Sequence, residues 1–299
     1  MTDPAARRGL AWGLLAAAIW ASYSVLAHQA VLRGLHPLDL TLLRFVPGAL
    51  VMAPLLLRWG WRDLAGIGWG RGLALALLSG PAFALLIMTG FAHAPLAHGA
   101  VVAPACQMLG GIVFAALLVR QGPTRATLAG AAVVLLGLAC MGGDSLLQTA
   151  GSSTLLGDAL FAAAGLCWGL FGALSRRWQV DPLRVTGVSV VLSLLLFAPV
   201  YAAFGNLQQL RAAPPDQVAL QLLAQGVGAG LVALLAYSRA VALLGPSRAV
   251  FFGVMVPGAA SLLAIPVLGE VPTPLQTAGI VAVVAGLLLA LGRAAPQRR

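Results

Sequence analysis

Lysine is absent from the sequence, and charged residues of any kind fill only 9% of its 299 positions. A soluble domain carries about 25%. There are too few polar side chains here to give every helix a wet face, so a water-soluble globule is excluded and a membrane protein remains. Cysteine is scarce. Cys106, Cys140 and Cys167 lie inside apolar runs without CxxC or Cys/His spacing, which leaves small buried hydrophobes rather than a metal or redox site. Catalytic signatures are missing too: no HExxH, no GxSxG and no paired carboxylate within an apolar run. No catalysis, no cofactor and no metal site is expected.

What the chain does have is apolar length, 60% of it hydrophobic. Ten spans are predicted, over 10–32, 38–57, 72–93, 95–119, 125–141, 155–176, 182–204, 216–242, 247–268 and 274–292. Each is about long enough to cross a bilayer as a helix. The net charge of +10 comes from 18 arginines. They cluster at the ends of the apolar runs, which points to membrane topology rather than to nucleic acid. Arg7-Arg8 precede a run that continues to Val31, so it reads as a retained first helix.

The sequence repeats itself. Shifted by 149 residues, Ala249-Val250 falls on Ala100-Val101, Pro272-Thr273 on Pro123-Thr124, Gly279 on Gly130 and Gly286 on Gly137. Trp20 and Trp168 sit at similar depths in the first and sixth spans, 148 residues apart. The longest connection, 142–154, divides ten spans into five and five. An odd number per half inverts the second copy, as in many transporters. The halves are expected at 1–150 and 151–299. Fifteen arginines then fall on the side of the termini, against Arg33, Arg44 and Arg211 on the other. That balance predicts cytoplasmic N- and C-termini.

Polar and aromatic residues inside the spans mark a candidate passage. Proline breaks are expected at Pro81, Pro104 and Pro257, each a hinge or a site of exposed backbone. Gln107 is an amide at membrane depth that needs either a neighbouring helix or a substrate. Trp20, Tyr23, Phe83, Trp168, Phe171, Tyr237 and Phe252 are read as the aromatic wall. The other tryptophans lie near arginine-rich ends and form an interfacial belt. Asp39, Asp158, Asp181 and Glu270 read as helix-end caps or anchors. His28, His93 and His98 are the candidates for proton coupling, with the last two expected near a surface.

Two five-helix halves, each closing before a Pro-Thr (Pro123-Thr124 and Pro272-Thr273) and a glycine-spaced last helix, resemble the EamA repeat of the drug/metabolite transporter superfamily. The second copy keeps Pro257, Leu268-Gly269-Glu270, Gly279 and Gly286. The first departs from it, with Met108 in place of the proline and Gln121 in place of the glutamate. Within the superfamily the chain is most similar to the YddG-type aromatic amino-acid exporters. The resemblance implies an all-α membrane protein with a central cavity, spans 1–4 and 6–9 around it, in a bacterial inner membrane.

The expected function is export of aromatic and other neutral amino acids by alternating access, uncoupled or weakly coupled. The expected partners are the amino-acid substrate and membrane lipid, with no nucleic acid, the chain acting as a monomer. Two other readings stand beside it: a broader drug or metabolite exporter on the same fold, and a non-transporting membrane scaffold.

Overall fold

The computed structural model describes residues 4–120, 122–147 and 152–291. Gln121 lies outside the described residues. Among them the chain is helical, with no strand. This is the expected answer to lipid, where a helix satisfies its own backbone groups. In the first half the helices are α1 (Pro4–Leu32), α2 (Pro37–Trp59), α3 (Trp69–Ser79), α4 (Pro81–Gly90), α5 (Leu96–Phe114) and α6 (Arg125–Leu147). In the second they are α7 (Ser152–Arg177), α8 (Pro182–Phe204), α9 (Leu207–Ala212), α10 (Pro215–Gln221), α11 (Ala233–Leu244), α12 (Pro246–Leu268) and α13 (Pro274–Leu291). Wide π-helical turns continue α5 over Ala115–Val119 and join α10 to α11 over Leu222–Val232. Among the described residues nine helical runs are long and apolar enough to cross a membrane, and Pro274–Ala290 is a shorter tenth.

The helix ends follow local chemistry. Asp181 caps α8 by accepting the Arg184 N–H at 2.9 Å, as its position predicts. Pro81 is the first residue of α4, so the expected break is present there. Gly80 carries the turn between α3 and α4, and any Cβ on it would overlap the Ser193 hydroxyl. That hydroxyl donates to the Ala76 carbonyl across the helix boundary at 3.3 Å. The breaks expected at Pro104 and Pro257 are not found: α5 and α12 run through both. A proline inside a helix removes one hydrogen bond, and neighbours that hold the flanking turns keep the helix continuous.

Two helix pairs display the inversion. On α6 and α13, Gly130 lies against the Gly286 carbonyl, and Gly137 against that of Gly279. As one helix rises the other descends, so the pair is antiparallel. The repeat maps Gly130 onto Gly279 and Gly137 onto Gly286, so it exchanges these two contacts, as a two-fold axis must. The second pair is α2 with α8. Pro37-Leu38 and Thr41 match Pro182-Leu183 and Thr186, and each threonine hydroxyl donates to its proline carbonyl at 2.8 Å. Down this seam Asp39 meets Tyr201, Phe45 meets Phe197, Gly48 meets Val190, and Met52 and Trp59 meet Gly187. The described chain is therefore an all-α membrane protein built from two inverted five-helix repeats.

Candidate functional site: an aromatic passage closed at one end

Between the halves lies a cavity of about 1080 Å³. Helical spacing delivers its walls. On α7, Trp168, Phe171 and Ser175 recur every three or four residues and face one way. On α1, Trp20, Tyr23 and Ser24 do the same, with the Ser24 hydroxyl folded back onto the Trp20 carbonyl at 3.0 Å. On α5 the stripe is Ala100, Pro104, Gln107 and Gly111. α6 and α13 bring only Thr127 and Leu287 to the lining, so they stand outside it.

Of the aromatic residues read from the sequence, Trp20, Tyr23, Phe83, Trp168, Phe171 and Tyr237 all line the cavity. They form two groups. Phe83, Trp168 and Phe171 run in series, with ring centroids 4.7 and 5.4 Å apart. Trp20 and Tyr237 pair at 5.5 Å. Phe252 does not belong: it packs with Ala17, Ala240 and Ala249 and sits over Gly13. Period alone leaves the rotation of α12 about its axis open, and the absent Cβ at Gly13 lets the ring turn toward α1. Pro81 and Pro257 also stay off the lining, whereas Pro104 is on it. Gln107 is exposed there and makes no side-chain hydrogen bond among the described residues, so no helix–helix bond occupies its amide.

Arg44 is the cavity residue that the sequence analysis does not single out: counted there only by side, with Arg33 and Arg211, it stands seven residues inside α2 and lines the cavity. Its guanidinium carbon is 5.2 Å from the Tyr23 ring centroid and 6.0 Å from that of Phe83. An arginine within a membrane helix costs up to roughly 2.5–3.5 kcal/mol on insertion scales, the full figure applying at the helix centre. A cation over an aromatic face recovers about 0.5–2 kcal/mol. Its depth within a span was the signal available in the sequence, since ionisable residues at that depth are rare.

The two ends of the cavity differ. At the arginine-rich end it is lined by exposed residues, among them Gly122, Pro123, Thr124 and Arg176, so it opens there. At the opposite end the lining stops at buried Phe91 and Gly99, and the Phe91 ring is wedged between His28 and Phe161 at 5.4 and 5.3 Å. Behind this plug lies a polar cluster. The His28 ring bonds Glu270 at 2.7 Å, and the Leu96 N–H donates to the other Glu270 oxygen at 3.0 Å. His98, expected near a surface, is fully buried: its Nδ1 lies 2.8 Å from Asp158, and its Nε2 lies 3.2 Å from Gln276 and 3.5 Å from Asp144. Asp144 also accepts from Thr273 at 2.6 Å and from Gln276 at 2.8 Å. Burial pushes the Glu270 carboxyl up, but the bond and charge of His28, the Leu96 N–H and the charge of His98 together hold it below the usual carboxylate range. Glu270 does lie just past the end of α12, as expected, whereas Asp158, expected at a helix end, stands six residues inside α7 and pairs with His98; the cluster that joins them has no local sequence signal. His93 stays near the surface, 3.3 Å from Ser153.

No curated protein matches the chain. A solved crystal structure of a protein superimposes with a TM-score of 0.64 at 21% identity, covering 94% of this chain and 96% of that one, which speaks for the fold alone. The model of the EamA-like transporter family matches twice, over residues 7–143 and again over residues 155–292. Those two matches fall on the two inverted halves and take in the wall of the passage on both sides, so the chain belongs to the EamA-like transporter family.

Proposed function

We propose that the protein exports amino acids, aromatic and other neutral ones, across a bacterial inner membrane by alternating access. The observation that carries this reading is a cavity walled by tryptophan, tyrosine and phenylalanine, open at one end and closed by buried residues at the other. Binding pockets for small molecules fall in the range of about 300–1,000 Å³, so a cavity of about 1080 Å³ accommodates an amino acid with room for water. Stacked rings offer flat apolar faces to an aromatic side chain. By the arginine balance the open end faces the cytoplasm, the loading side for an exporter. The halves 1–150 and 151–299 then rock about the cavity, opening the plugged end as the other closes.

Transport is taken as uncoupled, because the histidines lie behind the plug and not in the passage. Counterflow of labelled phenylalanine or threonine into proteoliposomes tests both points. Uptake is expected without a pH gradient, and strict dependence on an imposed gradient overturns the uncoupled mechanism. Trp168→Ala and Trp20→Ala each remove one aromatic contact worth about 0.5–1.5 kcal/mol, and are expected to weaken phenylalanine counterflow roughly two- to tenfold. Unchanged counterflow in both variants removes the aromatic wall from the mechanism.

A further inference from the structure

The wall of the passage carries one cation at depth, and no side chain among the described residues supplies a counter-charge for it. Arg176 also reaches the lining, but at the exposed mouth. Arg44 lies inside, beside Tyr23 and Phe83, neither of which brings negative charge. No carboxylate among the described residues lies within ion-pair distance of it. Asp39, its nearest acid on α2, is buried and accepts the Tyr201 hydroxyl at 2.6 Å. One terminal nitrogen of Arg44, Nη1, is buried and finds no hydrogen-bond partner among the described residues. A guanidinium does not release its proton at any pH the protein meets, so its charge persists.

The symmetry adds a second observation. The match of Pro37 with Pro182 and of Thr41 with Thr186 places Arg44 opposite Ser189 on α8. Ser189 also lines the cavity, and its hydroxyl is likewise buried without a partner. Two equivalent positions of the inverted halves thus bring unsatisfied polar atoms to the same passage.

We propose that Arg44 is the carboxylate-binding group of the passage, and that its ligands are small organic acids with an aromatic or other apolar body. The planar guanidinium fork matches the two oxygens of a carboxylate. The rings of Phe83 and Trp168, 4.7 Å apart, receive the body. A doubly charged phosphate fits less well, because no second cation stands at this depth. The inference rests on the cavity being a substrate passage, and it names the fixed positive charge that a zwitterion or an organic acid meets there.

Calorimetry on the purified full-length protein in lipid nanodiscs tests it, with 3-phenylpropionate and its uncharged analogue 3-phenylpropionamide as probes. The acid is expected to bind roughly tenfold tighter than the amide or better, about 1.4 kcal/mol. Arg44→Gln is expected to bring the acid down to the affinity of the amide, with Arg44→Lys keeping part of the difference. Equal affinities in the unaltered protein overturn the proposal without any variant, as does failure of the acid to bind. L-phenylalanine, measured in parallel, separates this from the export reading. If it binds while acid and amide bind alike, amino acids remain the cargo and Arg44 loses its role. If acid is preferred to amide but phenylalanine does not bind, the carboxylate site stands and amino acids cease to be the cargo.

Discussion

The two ends of the passage are built from the same module in opposite orientations, yet they carry different side chains. At the plugged end His28 meets Glu270, and His98 gathers Asp144, Asp158 and Gln276. Moved by the repeat offsets to the arginine-rich end, His28 falls on Arg176, Glu270 on Gln121, His98 on Ser247 and Asp144 on Arg293. Acid–base pairs become a set with no acid. Once buried, the acid–base pairs of the plugged end are costly to part, whereas their sequence counterparts offer no acid to pair with. The backbone has a two-fold relation and the charges do not. The difference teaches that a duplicated fold can make its two ends unlike through residues outside the repeat's shared pattern.

The largest expected effect comes from removing the hub of the plugged end. His98→Ala leaves Asp158 without the imidazole it meets at 2.8 Å, and breaking such a buried pair costs about 3–5 kcal/mol. Ala97 is buried beside this cluster. In a background lacking the three native cysteines, Ala97→Cys is expected to label with a membrane-impermeant thiol reagent over a hundredfold faster once His98 is replaced. An unchanged rate dissolves the contrast between the ends.

A smaller effect sharpens the same contrast from the other side. By the repeat offsets of the sequence alone, Gln121→Glu with Arg176→His writes the counterparts of Glu270 and His28 into the matching position of the other repeat. Ser175 lines the passage near that mouth. Ser175→Cys is expected to label about tenfold more slowly in the double variant, a shift of roughly 1.4 kcal/mol toward closure there. Equal labelling means that charge pairing does not select the closed end.

The smallest effect is one of pH. Glu270 has its carboxyl held below the ordinary value, so its ionised form favours the closed end. That contribution is complete above the ordinary carboxylate value of about 4.3 and disappears as the pH falls through the lowered one. His28, His98 and the Leu96 N–H are the groups that face it. With the rate corrected for the thiolate fraction by an exposed cysteine measured in parallel, Ala97→Cys labelling is expected to rise as the pH falls below about 4.3. In Glu270→Gln the acid-dependent rise disappears.

Much of the architecture was legible because its signals are local. Apolar run length located the spans, a constant offset exposed the repeat, and three-to-four spacing placed Trp168 with Phe171 and Trp20 with Tyr23 on cavity faces. What escaped depends on depth, rotation or distance along the chain. Counting arginines by side says nothing of their depth, so Arg44 goes unmarked as a cavity residue, although a charge seven residues into a helix is itself a flag. The rotation of α12 decides where Phe252 points, and a missing side chain on α1 set it. Residues 98, 144, 158 and 276 meet in one cluster from distant parts of the chain, and no spacing rule joins them. Pro104 and Pro257 were read as breaks because the cost of a proline is local, while the packing that keeps a helix whole is not.

The glycine contacts between α6 and α13 constrain how the molecule can move. With a carbonyl occupying the place of a side chain at Gly130 and Gly137, these helices cannot slide past each other by a single residue. The next register that sets glycine against glycine lies seven residues away, about 10 Å along the axis. Pivoting about the crossing keeps both contacts; translation breaks them. α6 and α13 bring only one residue each to the cavity wall, so a bulky residue at Gly137 would part them without entering the cavity.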